Sequence, residues 1–136
     1  MTETKNLITN CTIQFNKKNQ KVDENKFEVT IIEAINESLS TFENLDKQKF
    51  YSNLKHAFKI SKQEIPWKIE DFTTTLEEIF GIGAKLIEIR IIAAIHKRIP
   101  EFIFTPKKGV VVFKEYVDSL RAFLIESHSS EALVLA

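Results

Sequence analysis

Hydrophobic residues recur every three or four positions along most of the chain after residue 26. This spacing places side chains on one face of an α-helix, so the pattern predicts a succession of helices. The first two predicted helices are separated only by Glu43 to Leu45, and Asp46 is suited to cap the second. Because so short a connection folds neighbouring helices back on each other, we expect a helical hairpin over residues 27–60. Its apolar positions are Phe27, Ile31, Ile32, Ile35, Leu39 and Phe42, then Phe50, Tyr51, Leu54, Ala57 and Phe58.

The stretch from Ile69 to Ile99 is predicted to form two further helices that meet at a glycine corner. Gly81 follows the apolar stripe of the first helix, where a residue without Cβ most easily adopts the left-handed conformation that ends a helix. The second helix starts near Gly83 and stops at Pro100. The stripe of the first helix consists of Ile69, Phe72, Leu76, Ile79 and Phe80.

The helix after Gly83 carries apolar residues in almost every direction around its axis. A helix of this kind is normally buried on most sides. It is too short, and too often interrupted by charged residues, to span a bilayer, which needs roughly 20 apolar residues. The simpler interpretation is a central core helix, and the alternative is that one of its faces is a subunit interface. The apolar residues are Leu86, Ile87, Ile89, Ile91, Ile92, Ala93, Ala94 and Ile95.

The segment between the second and third helices is predicted to bend. Pro66 disfavours helical geometry at Ile65, the residue before it. Trp67, the single tryptophan, is expected to pack at this bend against the core. Its use as a platform on which a ligand stacks is the alternative.

After Pro100 the period of the sequence changes. Phe102 to Phe104 and Val110 to Val112 are short aromatic and β-branched runs on either side of Thr105 to Gly109, which contains Pro and Gly. This arrangement predicts a β-hairpin. The helical period then returns from Phe113, which predicts a last helix.

The predicted fold class is therefore mainly α, with about five helices packed as helical hairpins and one small β-hairpin between the fourth and fifth. We expect a polar N-terminal arm over residues 1–26, a helical domain over 27–126 and a flexible tail over 127–136. Within the arm, Cys11, Ile13 and Phe15 alternate with polar residues, which is the pattern of a short edge strand. The equally open interpretation is an arm that becomes ordered only when it binds a partner.

Composition restricts the classes of function. The 136 residues suit one domain, and the 19 basic and 19 acidic residues cancel, which argues against a broad, charge-driven nucleic-acid surface. The single Cys11 excludes an internal disulfide. Together with a start that lacks the pattern of a secretory signal, this favours the cytoplasm.

The sequence predicts no catalytic, cofactor-binding or metal-binding residue, and no enzymatic activity. The three histidines lie in different predicted elements, away from metal-ligand spacing. The acidic residues around Glu77 lie beside the apolar stripe and are explained by a solvated helix face. The segment with Gly81 and Gly83 lacks the Lys and Ser or Thr of a phosphate loop. The histidines are His56, His96 and His128.

Two classes without enzymatic activity stay open. The first is a regulatory or protein-interaction module, expected to form a homodimer in which a second chain covers the surplus apolar helix surface. The second is a DNA-binding regulator of the winged helix-turn-helix kind, with the helix after Gly83 in the major groove. The isoleucine-rich surface of that helix disfavours the DNA-binding alternative, since base recognition needs several polar side chains. Its nucleic-acid contacts would be Lys85, Arg90, Lys97, Lys107 and Lys108.

Three runs of the sequence, EIPWKIEDF, LEEIFGIGAKLIE and FKEYVDSLRAFL, resemble a small archaeal family, the Nitrosopumilus output domain of the fifth type. The similar portion spans roughly Lys47 to Leu124. The resemblance implies a compact, largely helical cytoplasmic module that acts as a signal-transduction output and has no established activity. It gives no functional residue, because the residues that carry it are packing and turn residues. They are Ile65, Pro66, Phe72, Leu76, Phe80, Gly81, Gly83 and Ala84.

Overall fold

The structure, a computed structural model, describes residues 24–106, 109 and 111–135, with side chains up to residue 125. These residues contain five α-helices, one 3-10 helix and no β-strand, so the mainly helical fold class is confirmed. The elements in chain order are α1 (24–40), α2 (Lys47–Phe58), a 3-10 helix (Lys62–Trp67), α3 (Ile69–Phe80), α4 (Gly83–Arg98) and α5 (Phe113–Leu135).

Both ends of α2 have a clear physical cause. The Asp46 side chain accepts a hydrogen bond from the Lys49 backbone N–H at 3.2 Å, so the predicted N-cap is confirmed. At the other end Lys59 adopts the left-handed conformation, with φ of 61°. The Ile60 backbone N–H then donates to the Leu54 carbonyl at 3.2 Å, which satisfies an acceptor that the helix end leaves open.

The predicted bend before α3 is a 3-10 helix rather than an irregular loop. The Glu64 carboxylate accepts hydrogen bonds from the backbone N–H of Ser61 at 3.0 Å and from its hydroxyl at 2.8 Å. Lys68 lies 2.9 Å from the same carboxylate. The hydrogen bonds from Lys68 and Ser61 lower the pKa of Glu64 to about 2. Trp67 is 39 % exposed and packs edge-on against Phe27 at 5.3 Å, so it covers the bend without being enclosed.

The three consecutive threonines of α3 do not prevent the helix from forming. Their hydroxyls donate to the backbone carbonyls one turn earlier, at distances between 2.8 and 3.0 Å. The helix ends at Gly81, whose φ of 57° and ψ of −124° lie in a region that only glycine adopts without strain. The chain then enters α4 within two residues, so the glycine corner predicted from the sequence is confirmed.

Helix α4 lies at the centre of the core. Both α3 and α5 contact it. On another side the buried Ser38 hydroxyl of α1 donates to the Ile87 carbonyl at 3.3 Å, which brings the two helices close together. The largest fully buried side chains are Phe27, Ile31, Ile35, Leu39, Leu54, Ile65, Phe72, Leu76, Ile87, Ile91, Ile95 and Phe113.

The predicted β-hairpin between α4 and α5 is wrong, because residues 102–106, 109, 111 and 112 form no strand. Phe102 is buried, and its ring lies 5.3 Å from Tyr116 and 5.2 Å from Phe123. Phe104 also packs on Tyr116, at 5.5 Å. The aromatic run that predicted a strand is therefore explained by rings that pack on α5 rather than by pairing with another strand.

The division into an arm, a helical domain and a tail stays a prediction. Helix α1 is present from residue 24, and the backbone of α5 is helical as far as Leu135. The expected arm, up to residue 23, and the lysines of the expected hairpin tip, Lys107 and Lys108, lie outside the described residues. Among the helices that are described, none has the length and apolar content needed to cross a membrane.

Candidate interaction surface

Helix α4 has two apolar faces with different surroundings. The inward face is covered by the other helices of the same chain, and its large side chains Ile87, Ile91 and Ile95 are at most 2 % exposed. Two small residues, Ala84 and Ala94, complete this face and allow neighbouring helices to approach closely. The prediction of a core helix is confirmed for this side of α4.

The outward face of α4 is apolar as well, but no described residue covers it. Ile82 is 95 % exposed, Ile89 62 % and Leu86 45 %, and Ala93 is also exposed. These residues follow each other at intervals of four, three and four, so they form a single stripe along the helix. Single apolar residues on a surface are ordinary, whereas a continuous row of them indicates a surface that binds something.

The glycine corner explains why this stripe begins one residue before α4 itself. Gly81 turns the chain so sharply that Ile82 lies at the apex between α3 and α4. The backbone of Ile82 is already helical, with φ of −62° and ψ of −29°, so its side chain is in line with the helix that follows. The corner therefore holds Ile82 where the described residues of its own chain bury it least.

An apolar cleft of 570 Å³ adjoins the stripe on the side of α1. Its walls are the connection between α1 and α2 on one side and the glycine corner on the other. Leu86 belongs to both the cleft and the stripe, so the two form one continuous apolar surface. The other large apolar side chains in the cleft are Phe42, Leu45, Phe80 and Ile87.

Two of the basic residues predicted for nucleic-acid binding are engaged within the chain. The Arg90 guanidinium donates a hydrogen bond to the Thr41 hydroxyl and lies 4.6 Å above the Phe42 ring. Lys97 lies 3.6 Å from the Glu37 carboxylate, although its side chain remains 74 % exposed. Arg90 therefore holds the residue that follows α1 against α4.

The third of these residues, Lys85, marks an unusual acidic site in α4. It lies 3.9 Å from the carboxylate of Glu88, which is only 5 % exposed. The second carboxylate oxygen of Glu88 is buried without a hydrogen-bond partner among the described residues. Burial raises the pKa of Glu88, Lys85 opposes that rise, and Glu77 of α3 adds to it. The remaining two predicted contacts, Lys107 and Lys108, lie outside the described residues.

Other polar groups of the described chain do not come together in a recognisable chemical site. Nowhere in these residues do three His, Cys, Asp or Glu side chains meet as a metal site would require. His56 and His96 lie on different helices and both are exposed. A second cleft, of 790 Å³, runs beside α2 and includes His56, Asn53 and Ser52.

Part of this surface could be found in the sequence and part could not. The spacing of Ile82, Leu86, Ile89 and Ala93 is visible in the sequence, but so is an equally regular row through Ile87, Ile91 and Ile95. Periodicity does not say which of two apolar rows faces the core. The cleft combines the connection between α1 and α2 with α3 and α4, and no local pattern indicates that these segments meet.

Comparison of the chain with protein-family models, with curated proteins and with solved structures gave no match. The resemblance to the archaeal output domains therefore stays a prediction.

Proposed function

We propose that the chain is a non-enzymatic regulatory module that works through protein contacts, and that a second copy of the chain occupies the outward face of α4. The observation that carries this proposal is the exposed stripe of Ile82, Leu86, Ile89 and Ala93. Burying such a row against another apolar surface is favourable by roughly 25 cal/mol for each Å² removed from water. The resemblance to signalling output domains, which implies a signal-transduction output with no established activity, agrees with this function.

A second copy fits this surface because the stripe is complementary to itself. It contains both large and small apolar side chains, so one copy supplies both the projections and the space to receive them. Only about three turns of one helix and the adjoining cleft take part, less than the surface that standard stable interfaces bury. We therefore expect a weak dimer with a dissociation constant on the order of micromolar, which suits a module whose assembly is regulated.

Sedimentation measured over a range of protein concentrations tests this function. We expect the mass of the unmodified chain to rise from that of a monomer towards that of a dimer between about 1 µM and about 1 mM, the range that spans weak interfaces. Ile89→Glu places a charge in the middle of the stripe and should leave the protein monomeric throughout. Because Ile89 is exposed in the monomer, this change should leave the helix content, read by circular dichroism, unaltered.

A matched control comes from Ile103, which is 79 % exposed but lies in the connection between α4 and α5. Ile103→Glu makes the same chemical change away from the stripe and should leave association as it is in the unmodified chain. The proposal is overturned if the unmodified chain stays monomeric at the highest concentration. It is also overturned if Ile89→Glu associates as strongly as the control.

A further inference from the structure

We infer that the two copies pack with the α4 helices antiparallel, so that Ile82 of each copy lies against Ala93 of the other and Leu86 lies against Ile89. This arrangement rests on the proposed function and specifies the partner surface. Two features of the described residues carry it: the order of side-chain sizes along the stripe, with the most exposed isoleucine at one end, and the exposed charges near the two ends of α4.

The sizes along the stripe favour the antiparallel orientation. The large and most exposed residue, Ile82, begins the stripe and the small Ala93 ends it, while the middle is formed by Leu86 and Ile89. In the antiparallel pair the two-fold axis lies between the two helices, at the level between residues 87 and 88. It pairs the large Ile82 with the small Ala93 at both ends of the interface, and the large Leu86 with the large Ile89 at its centre. In a parallel pair, Ile82 would meet Ile82 and Ala93 would meet Ala93, which separates the helices at one end and leaves a gap at the other.

Charges at the ends of α4 favour the same orientation. Of the basic residues in the last turn of α4, Arg98 is paired with Glu33 and Glu37, whereas the Lys97 side chain stays 74 % exposed beside Glu37. The other end of α4 adjoins the last turn of α3, where Glu77 and Glu78 are exposed and acidic. Antiparallel packing brings the exposed Lys97 of each copy towards Glu77 and Glu78 of the other, whereas parallel packing brings Lys97 towards Lys97.

Arg90 and Gly83 do not obstruct the antiparallel pair. Both flank the stripe on the side of the cleft, and the Arg90 guanidinium is turned away to Thr41 and Phe42. Gly83 has no side chain. It lies in the first turn of α4, on the flank that meets Arg90 of the second copy. The Arg90 guanidinium therefore does not lie over the stripe.

Disulfide trapping between two single-cysteine variants tests the orientation. The natural Cys11 is first changed to Ser, and Ile82→Cys and Ala93→Cys are then made separately in that background. One variant carries a tag, so that a mixed dimer differs in mass from a dimer of either variant alone. The samples are equilibrated with oxidised and reduced glutathione at a concentration where sedimentation shows dimer, so that only thiols held close together form a stable disulfide.

We expect the mixture of the two variants to give the mixed disulfide dimer, at least tenfold in excess over the dimer that either variant forms alone. Ile82→Cys and Ala93→Cys both alter exposed positions, and circular dichroism confirms that each variant is folded before it is mixed. If Ile82→Cys alone forms the linked dimer, or if no pair is trapped although the chain sediments as a dimer, the antiparallel inference is overturned and the proposed function stands. If the chain is monomeric in the same buffer, the proposed function itself falls.

Discussion

The two sides of α4 carry the same kind of side chain in opposite environments. Ile91 on the inward face is fully buried, whereas Ile89, two residues away along the same helix, is 62 % exposed. Both belong to rows of regular helical spacing, and both rows are apolar. The difference shows that residue type and spacing identify an apolar surface whose burial is favourable. They do not identify what buries it. For the inward face the cover is α1, α3 and α5, and for the outward face we propose a second copy.

The largest expected effect is a difference in stability between a variant of the inward face and a variant of the outward face. Ile91→Ala leaves a cavity in a core that cannot fully close around it, so we expect the free energy of unfolding to fall by about 2–5 kcal/mol. Ile89→Ala removes a side chain that is largely in water already, and we expect a change within about 0.5 kcal/mol. Denaturant unfolding of both variants is measured at submicromolar protein concentration, below the expected dissociation constant. The free energies of unfolding are then compared between monomers.

Equal losses of stability in the two variants would contradict this account of α4. A large loss in Ile89→Ala at low concentration would mean that the outward face is covered within the monomer. In that case the stripe would be part of the core, and the reason for proposing a second copy would disappear.

The smaller expected effect concerns Glu88, the charged residue that interrupts the buried side of α4. Its folded-state pKa is raised above the usual value, mainly by burial. The group therefore favours folding when it is protonated, and its contribution is lost as the pH rises through the folded-state pKa. At pH 7 the ionised carboxylate is a cost, so we expect Glu88→Gln to raise the free energy of unfolding by roughly 1 kcal/mol.

Unfolding midpoints measured between pH 7 and the acid range check this sign. As the pH falls towards the folded-state pKa, the advantage of Glu88→Gln over the unmodified chain should shrink, because the unmodified carboxyl becomes neutral. Glu101→Gln, at an exposed position, is the control and should change the stability at pH 7 by less than about 0.5 kcal/mol. A loss of stability at pH 7 in Glu88→Gln would show that the ionised carboxylate is satisfied within the fold.

The sequence predicted those parts of the fold that depend on local chemistry. Asp46 caps α2 through its own side chain, and Gly81 adopts a conformation that is strained for other residues, so each could be identified from its neighbours alone. The short aromatic run from Phe102 to Phe104 predicts a strand wrongly, because such a run suits rings that pack on a helix as well as rings in a sheet. Only the position of α5, a long-range feature, decides between the two.

The interaction surface was predicted in part for the same reason. The excess of apolar residues in α4 was visible in the sequence and led to the alternative of a subunit interface. Which row faces outward depends on how α3 and α5 pack against α4, and this is not encoded in any local pattern. The burial of Glu88 could not be predicted from the sequence either, because it follows from the orientation of α4. The residues around it in the sequence resemble those around an ordinary surface glutamate.

The most direct test of the central claim is a methyl NMR dilution series on protein labelled at the isoleucine δ1 methyl groups, with each signal assigned by an Ile→Val variant. We expect the signals of Ile82 and Ile89 to shift as the protein concentration passes through the micromolar range, while those of Ile91 and Ile95 stay nearly constant. Such a result would place the contact between copies on the outward face of α4. Constant signals at every concentration, or shifts centred on Ile103 instead, would contradict the claim.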